Sequence, residues 1–238
     1  TKVCLDERYG ETHATMSLLF SKEDVERLSV EEMDDIINEK FRRNEYEWNA
    51  EKKIKWETHG RICYRLEDFC YKCPKCGKEF TIKGEGNQIA CTSCGNGATM
   101  DDYYEFHPFE GSIIPESPYQ WVEQQRAQLI KEIRENPDYY FEDECQIGNL
   151  DEYKLVGDNK TSFIVGEGKI RVDHTGMHYR GTRNGEPYEF DVDYNSLFTL
   201  ITEVDSSFFN FYLRGEYFDV FPKHQTVGKF SLLVEEMH

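Results

Sequence analysis

Long apolar runs are missing from this chain. The runs it has are short, such as Leu18-Leu19-Phe20 and Leu232-Leu233-Val234, far below the ~20 residues of a membrane-spanning helix. Positive charge is scarce: 28 Lys and Arg stand against 46 Asp and Glu, a net charge of −18. Coating a nucleic acid needs a basic surface, so nucleic acid is disfavoured as the main ligand. Docking on an anionic membrane would need at least a local basic patch. The first residues, Thr1-Lys2-Val3-Cys4-Leu5-Asp6-Glu7-Arg8, hold no apolar core of a secretion signal. The expectation is therefore a reducing, cytoplasmic compartment.

Catalytic signatures are also absent. There is no Gly-x-Ser-x-Gly elbow, no phosphate-binding Walker loop and no Gly-x-Gly-x-x-Gly. Gly166-Glu167-Gly168 is a lone Gly-x-Gly and reads as a turn. The seven histidines share no metal-ligand spacing; His174 and His178 are four apart, but across a predicted turn. Internal repeats and low-complexity tracts are missing too. Aromatic residues are not scarce: 16 Phe, 15 Tyr and 3 Trp supply core-building mass, which argues against disorder.

The eight cysteines are unevenly spread, and five of them lie between Cys70 and Cys94. A disulfide framework would follow a secretion signal and spread its cysteines, so the cluster reads as a metal site. Cys73-Pro74-Lys75-Cys76-Gly77 and Cys91-Thr92-Ser93-Cys94-Gly95 are two Cys-x-x-Cys-Gly knuckles. Two intervening residues let both thiolates of a pair point into one turn, and the glycine supplies the permissive backbone that closes it. Facing knuckles offer four sulfurs in a tetrahedron, the preference of zinc. The residues between them read as a short hairpin, which makes a zinc ribbon. Cys73, Cys76, Cys91 and Cys94 are thus the expected ligands of a structural Zn2+. Cys70, three residues before Cys73, leaves a Cys70/Cys73 pair open as an alternative.

Elsewhere the punctuation is clear. Thr15–Phe20 reads as a strand, and Ser29-Val30-Glu31-Glu32 as a capping box opening a helix to about Trp48. Its stripe is Val30, Met33, Ile37 and Phe41. Residues 101–116 look like a loop. Ser117 with Pro118 starts a helix, stepping by four through Trp121, Gln125, Leu129 and Ile133 and ending at Asn136-Pro137. From about residue 140 the period is two, with hairpin turns at Asp173–Gly176 and Asn184-Gly185, and a closing helix from about Thr226. The fold class is α+β: a strand-helix segment (1–60), a zinc ribbon (61–100), a loop and linker helix (101–138), and an antiparallel β-sandwich or barrel of pleckstrin-homology kind (139–238). In the first tail hairpin Ile170, Val172, Met177 and Tyr179 share the core face. Lys169, Arg171, His178 and Arg180 share the other, a candidate site for an anionic lipid headgroup at the inner membrane face. The tail's aromatic core is expected to stand without the metal.

The run Tyr71–Thr81 with Gly86-Asn87 and Cys91–Thr99 resembles the ribbon segment of bacterial lysophosphatidate acyltransferases (1-acylglycerol-phosphate acyltransferases). Leu18–Trp48 is similar to the last strand and helix of their catalytic domain, and Phe163–Gly168 and Val234–His238 to their β-rich tail. That family depends on a His and an Asp separated by four residues, and no histidine here is followed by Asp at that distance. The resemblance implies a non-catalytic C-terminal region, or a paralogue without the catalytic half, with a targeting, scaffolding or regulatory role. Its partner would be the missing acyltransferase domain or another protein. Leu18, Phe20, Ile37 and Phe41 would then form an exposed apolar patch. The alternative is a free-standing zinc-ribbon protein-interaction module.

Overall fold

The computed structural model describes residues 8–149, 162–197, 199–203 and 206–237; Cys4 lies outside them. The fold is mixed helix and sheet. Three short helices come first: α1 (Lys22–Arg27), α2 (Val30–Phe41) and α3 (Glu45–Lys52). A small antiparallel sheet follows, in the order β1 (Ile82–Glu85), β2 (Gln88–Cys91), β3 (Gly97–Met100) and β4 (Phe106–Pro108). Then come α4 (Pro118–Glu135), seven antiparallel strands and a C-terminal helix α5 (Val227–Met237).

The N-terminal segment departs from the sequence reading. Residues 15–20 form no strand, because no neighbouring strand among the described residues takes up their backbone groups. The expected long helix is two. It stops at Phe41, and Asn44 starts α3 by accepting from the amides of Tyr46 and Glu47. A short amide side chain that satisfies backbone donors this way caps a helix rather than continuing one. The Ser21/Asp24 and Ser29/Glu32 capping boxes both form. Yet α1 and α2 bury no residue, and Leu18 (83% exposed) and Phe41 (78%) stand in solvent. Phe20 and Ile37 are half-buried. The body begins at α3, where buried Asn49 bonds the carbonyls of Ile54 and Tyr103 and accepts from Trp56 Nε1.

Residues 101–116 are not all loop, since β4 pairs with β3. Helix α4 forms as read, with Ser117 as cap and Trp121, Gln125, Leu129 and Ile133 buried. It serves two cores. Trp121 packs with Ile62, Ile82, Ile89 and Met100, while Leu129 and Ile133 join the large core of the C-terminal sheet. Eight residues of helix, ~12 Å of rise, therefore tie the core of the small sheet to that of the large one.

The large sheet runs β8 (Glu186–Val192), β7 (Gly176–Arg183), β6 (Phe163–Asp173), β5 (Tyr140–Asn149), β11 (Glu216–Pro222), β10 (Phe209–Leu213) and β9 (Ile201–Thr202). Ile170, Val172, Met177 and Tyr179 all face the core at 0% exposure. In a flat sheet β8 and β10 would lie five spacings apart, ~24 Å. The rings of Phe190 on β8 and Phe211 on β10 are 5.6 Å apart, so the sheet must curl over on itself. A bulge between Ile147 and Gly148 bends the central strand. At Gly166 a Cβ would stand 1.8 Å from the carbonyl oxygen of Thr182, so only glycine lets β6 and β7 cross so closely. Edge strands β8 and β9 do not pair. The expected sandwich or barrel is thus one curled sheet without barrel closure, covered by Phe230, Leu233 and Val234 of α5.

One residue opposes its surroundings. Phe218 and Val220 of β11 point into the core, and Asp219 between them points to the other face, where it is nevertheless 0% exposed. Among the described residues neither carboxylate oxygen makes a well-formed hydrogen bond, although the Ser162 and Tyr217 hydroxyls lie near enough to offset part of the effect of burial. Burial raises its pKa above the usual carboxylate range. The folded state thus holds this proton to higher pH than the unfolded chain does. Stability is lost as pH climbs from the ordinary carboxylate pKa through the folded one. Asp219→Asn is expected to stabilise the protein by about 1–3 kcal/mol near neutral pH, with the gain shrinking toward about pH 4. Thermal denaturation of both proteins across that range checks it.

Candidate metal centre

The two knuckles are built alike. In the first, Gly77 sits at φ 71° and donates its amide to Cys73 O at 2.9 Å, while Cys73 N reaches Lys78 O at 2.9 Å. In the second, Gly95 sits at φ 71° and bonds Cys91 O at 2.9 Å, while Cys91 N reaches Asn96 O at 2.8 Å. Positive φ is where glycine lacks the steric cost of a Cβ. The same local chemistry, repeated, turns two sulfurs of each knuckle toward the other knuckle.

The four sulfurs converge. Cys73 Sγ lies 3.7 Å from Cys94 Sγ, Cys76 Sγ lies 3.8 Å from Cys91 Sγ, and all four fall within 4.8 Å of one another. Disulfide sulfurs would be ~2.05 Å apart, and these cysteines are free. A tetrahedron with metal–sulfur bonds of ~2.3 Å has edges of ~3.8 Å, so the spacing suits a bound ion. Other groups fix the sulfurs. Thr81 Oγ1 is 3.2 Å from Cys91 Sγ, and Asn96 Nδ2 is 3.8 Å from Cys73 Sγ. Asn96 is itself held through both amide atoms by the backbone of Ile113. Partners of this kind orient ligands around a metal. Burial pushes the Cys73 thiol up to about 12. At Cys91 burial acts the same way, but hydrogen bonds from Thr81 and from the Ser93 and Cys94 amides outweigh it, and its pKa falls to about 6.

Cys70 is not part of this group. It is fully buried beside Cys63 in the core of the small sheet, where burial drives its thiol pKa upward. The Cys70/Cys73 pairing is therefore not the one formed.

Lys169, Arg171, His178 and Arg180 do share a face, each with an acid. Lys169 pairs with Glu142 at 2.7 Å and Arg171 with Asp173 at 3.0 Å. His178 bridges Asp191 and Asp173, and Arg180 bonds Asp191 at 2.6 Å. The charge that would attract a headgroup is thus matched locally. Sequence reasoning missed a second histidine site. His224 Nδ1 is 2.7 Å from Asp143, a buried acid that also accepts from Thr226 Oγ1 at 2.7 Å. This resembles half of a general-base arrangement, but among the described residues nothing bonds His224 Nε2, so no nucleophile completes it. Asp143 and His224 are eighty-one positions apart, so no local pattern could have flagged them. No family model, no curated protein and no solved structure matches this chain. No helix among the described residues is long and apolar enough to cross a membrane.

Elemental analysis is expected to find one metal per chain, with affinity rising with pH because ligand thiols must lose protons. Less than half an equivalent, or disulfides among these four cysteines, contradicts the site. On the balanced basic face, Lys169→Glu/Arg180→Glu is expected to leave flotation with anionic liposomes unchanged.

Proposed function

We propose that this chain is a non-catalytic protein-docking module organised by a structural zinc ion. Zinc is the reading because a four-thiolate tetrahedral set is its preferred structural environment. Four sulfurs leave no position for water, so the ion would act on folding and not on a substrate. Support for a zinc ribbon comes from the two knuckles, with β2 running into Cys91 and β1 beside it. Support for a pleckstrin-homology-like tail comes from strand order: a four-strand meander and a three-strand meander, joined through β5 and β11 and covered by a C-terminal helix.

The observation that carries the docking role is the N-terminal arm. Met16, Leu18, Val25, Val30 and Phe41 are exposed on a segment whose helices bury nothing of their own. Five large apolar side chains left in solvent along one segment are the surface on which a docking partner would bury them. The resemblance of the ribbon supplies the candidate partner, a lysophosphatidate acyltransferase domain carrying its His-x4-Asp pair. Among the described residues there is neither a base placed for acyl transfer nor a cationic cradle for the acceptor phosphate. A free-standing interaction module would use the same arm on another protein, and the net charge of −18 keeps nucleic acid disfavoured in either case.

The test mixes the purified chain with such a catalytic domain and follows both association and lysophosphatidate acylation. The chain alone is expected to give no turnover above a no-protein control. Association is expected to weaken by about tenfold or more in Leu18→Asp/Phe41→Asp, since ~1.4 kcal/mol of lost apolar contact suffices. Turnover by the chain alone overturns the non-catalytic reading. No association with the wild-type chain removes the acyltransferase partner in favour of the free-standing module.

A further inference from the structure

We infer that the four-cysteine centre is a metal-dependent latch on helix α5: bound metal holds the C-terminal helix over the tail core, and metal loss releases its first turn. The inference rests on the metal reading above and goes beyond it. A structural ion in a ribbon need only fold the ribbon, whereas here it would also control a different part of the molecule.

The connection runs through one ion pair, a buried lysine on a half-buried carboxylate. Lys229 is on the first turn of α5, and its side chain is 5% exposed. Its ammonium donates to Glu79 Oε2 at 2.6 Å and lies 4.5 Å above the ring of Phe141. No other carboxylate among the described residues pairs with it. Removing one partner of a buried pair leaves an uncompensated charge, which is strongly destabilising.

Glu79 in turn depends on the first knuckle. It lies three residues beyond Cys76, between the knuckle turn and β1, outside any regular strand. Its neighbours are held by Cys73 N to Lys78 O at 2.9 Å and by Phe80 N to Tyr71 O at 2.8 Å. Phe80 sits at φ 54°, a conformation that a bulky residue keeps only when its surroundings impose it. Glu79 also faces Lys72 at 3.7 Å, on the segment entering the knuckle, and pairs with it in an isolated antiparallel bridge.

The first turn of α5 rests on the same segment. Gln225 Nε2 bonds Asp68 Oδ1 at 2.8 Å, and a Cβ on Gly228 would stand 2.0 Å from the Asp68 carbonyl oxygen. That chain runs directly from Asp68 through Cys70 to Cys73. The thiol–thiol contacts at 3.7–3.8 Å are weak hydrogen bonds; an ion bound by all four sulfurs would hold the knuckles far more firmly. Without the ion the knuckle loosens, Glu79 turns to water, and Lys229 can follow only by lifting the start of α5. Thr226 Oγ1 on Asp143 and Phe230 in the tail core hold the start of α5 from the tail side, and Arg126 of α4 holds its end through Glu235 and Glu236. Loosening is therefore expected in the first turn, at residues 226–230, and not along the whole helix.

The experiment is hydrogen exchange on the full chain, zinc-loaded and after chelation, with metal content measured in the same samples. Residues 169–180 of the β6–β7 hairpin serve as the internal reference. Chelation is expected to speed exchange at 226–230 by about tenfold or more, with less change at 233–237 and in the hairpin, and added zinc should reverse it. Zinc-loaded Glu79→Gln is expected to show the same loosening with its metal retained. Lys229→Met is expected to keep α5 protected after chelation, because no buried charge then needs a partner. Stoichiometric metal release with α5 unchanged overturns the latch and leaves the metal centre standing. Hairpin and α5 exchanging together, or Glu79→Gln without effect, also overturns it. A chain that takes up no metal removes both readings.

Discussion

Everything between Ile62 and Met100 depends on two knuckles being held face to face. The segment has a small apolar core of its own, Ile62, Leu66, Ile82, Ile89 and Met100 with the buried Cys63 and Cys70, joined by Trp121 from α4. Strands of four residues and a core this small do not stand unaided in water. The four sulfurs are what make the segment a unit, and a bound structural metal can contribute on the order of 10 kcal/mol to such a unit. The polar interior follows from that constraint. Buried Asn96 bonds the Ile113 backbone and reaches a sulfur, and Trp121 of α4 donates its ring N–H to the carbonyl of Lys72, on the segment entering the first knuckle.

Ribbon and tail look separable on paper but share α4 and the face of α5. The joint is polar as well as apolar: Lys229 with Glu79, Gln225 with Asp68, and Lys72 with Glu132. Its rings run from Tyr71 through Phe80 and Phe141 to Phe230, each within 6.0 Å of the next. A joint made this way has geometry, because buried charges tolerate few alternative arrangements. The two cores remain separate clusters, and these contacts of α4 and α5 are what join them. Arg126, which ties α4 to the end of α5, makes the same point from the opposite side.

Local signals in the sequence were reliable wherever one element decides its own shape. The knuckles, the Ser117-Pro118 start, the Asn184-Gly185 turn and the inward face of Ile170, Val172, Met177 and Tyr179 all follow from neighbours in the chain. The four-sulfur set was legible because Cys-x-x-Cys-Gly encodes its own turn twice. What failed was non-local. A strand at 15–20 needs a partner strand, which composition cannot report. The break at Asn44 turned on whether a side chain or the next turn satisfies two amides. The basic face was read correctly as a face, but its acids come from β5, β8 and the Asp173 turn, so its balance of charge was invisible along one hairpin. The curl of the sheet came from a bulge and from glycines whose meaning emerges only when the opposing strand is known.

The central position of β5 has a consequence for the order of assembly. One side of this strand pairs with β6, which follows soon after in the chain, and the other with β11, Glu216–Pro222. The sheet cannot be completed until most of the tail has been synthesised. Its cover, the eleven residues of α5, arrives last of all. Pairings so distant in sequence are slow to form. On the ribosome the curled sheet therefore passes through a stage with its aromatic face uncovered, and the nascent chain spends that interval exposed to chaperones and to self-association.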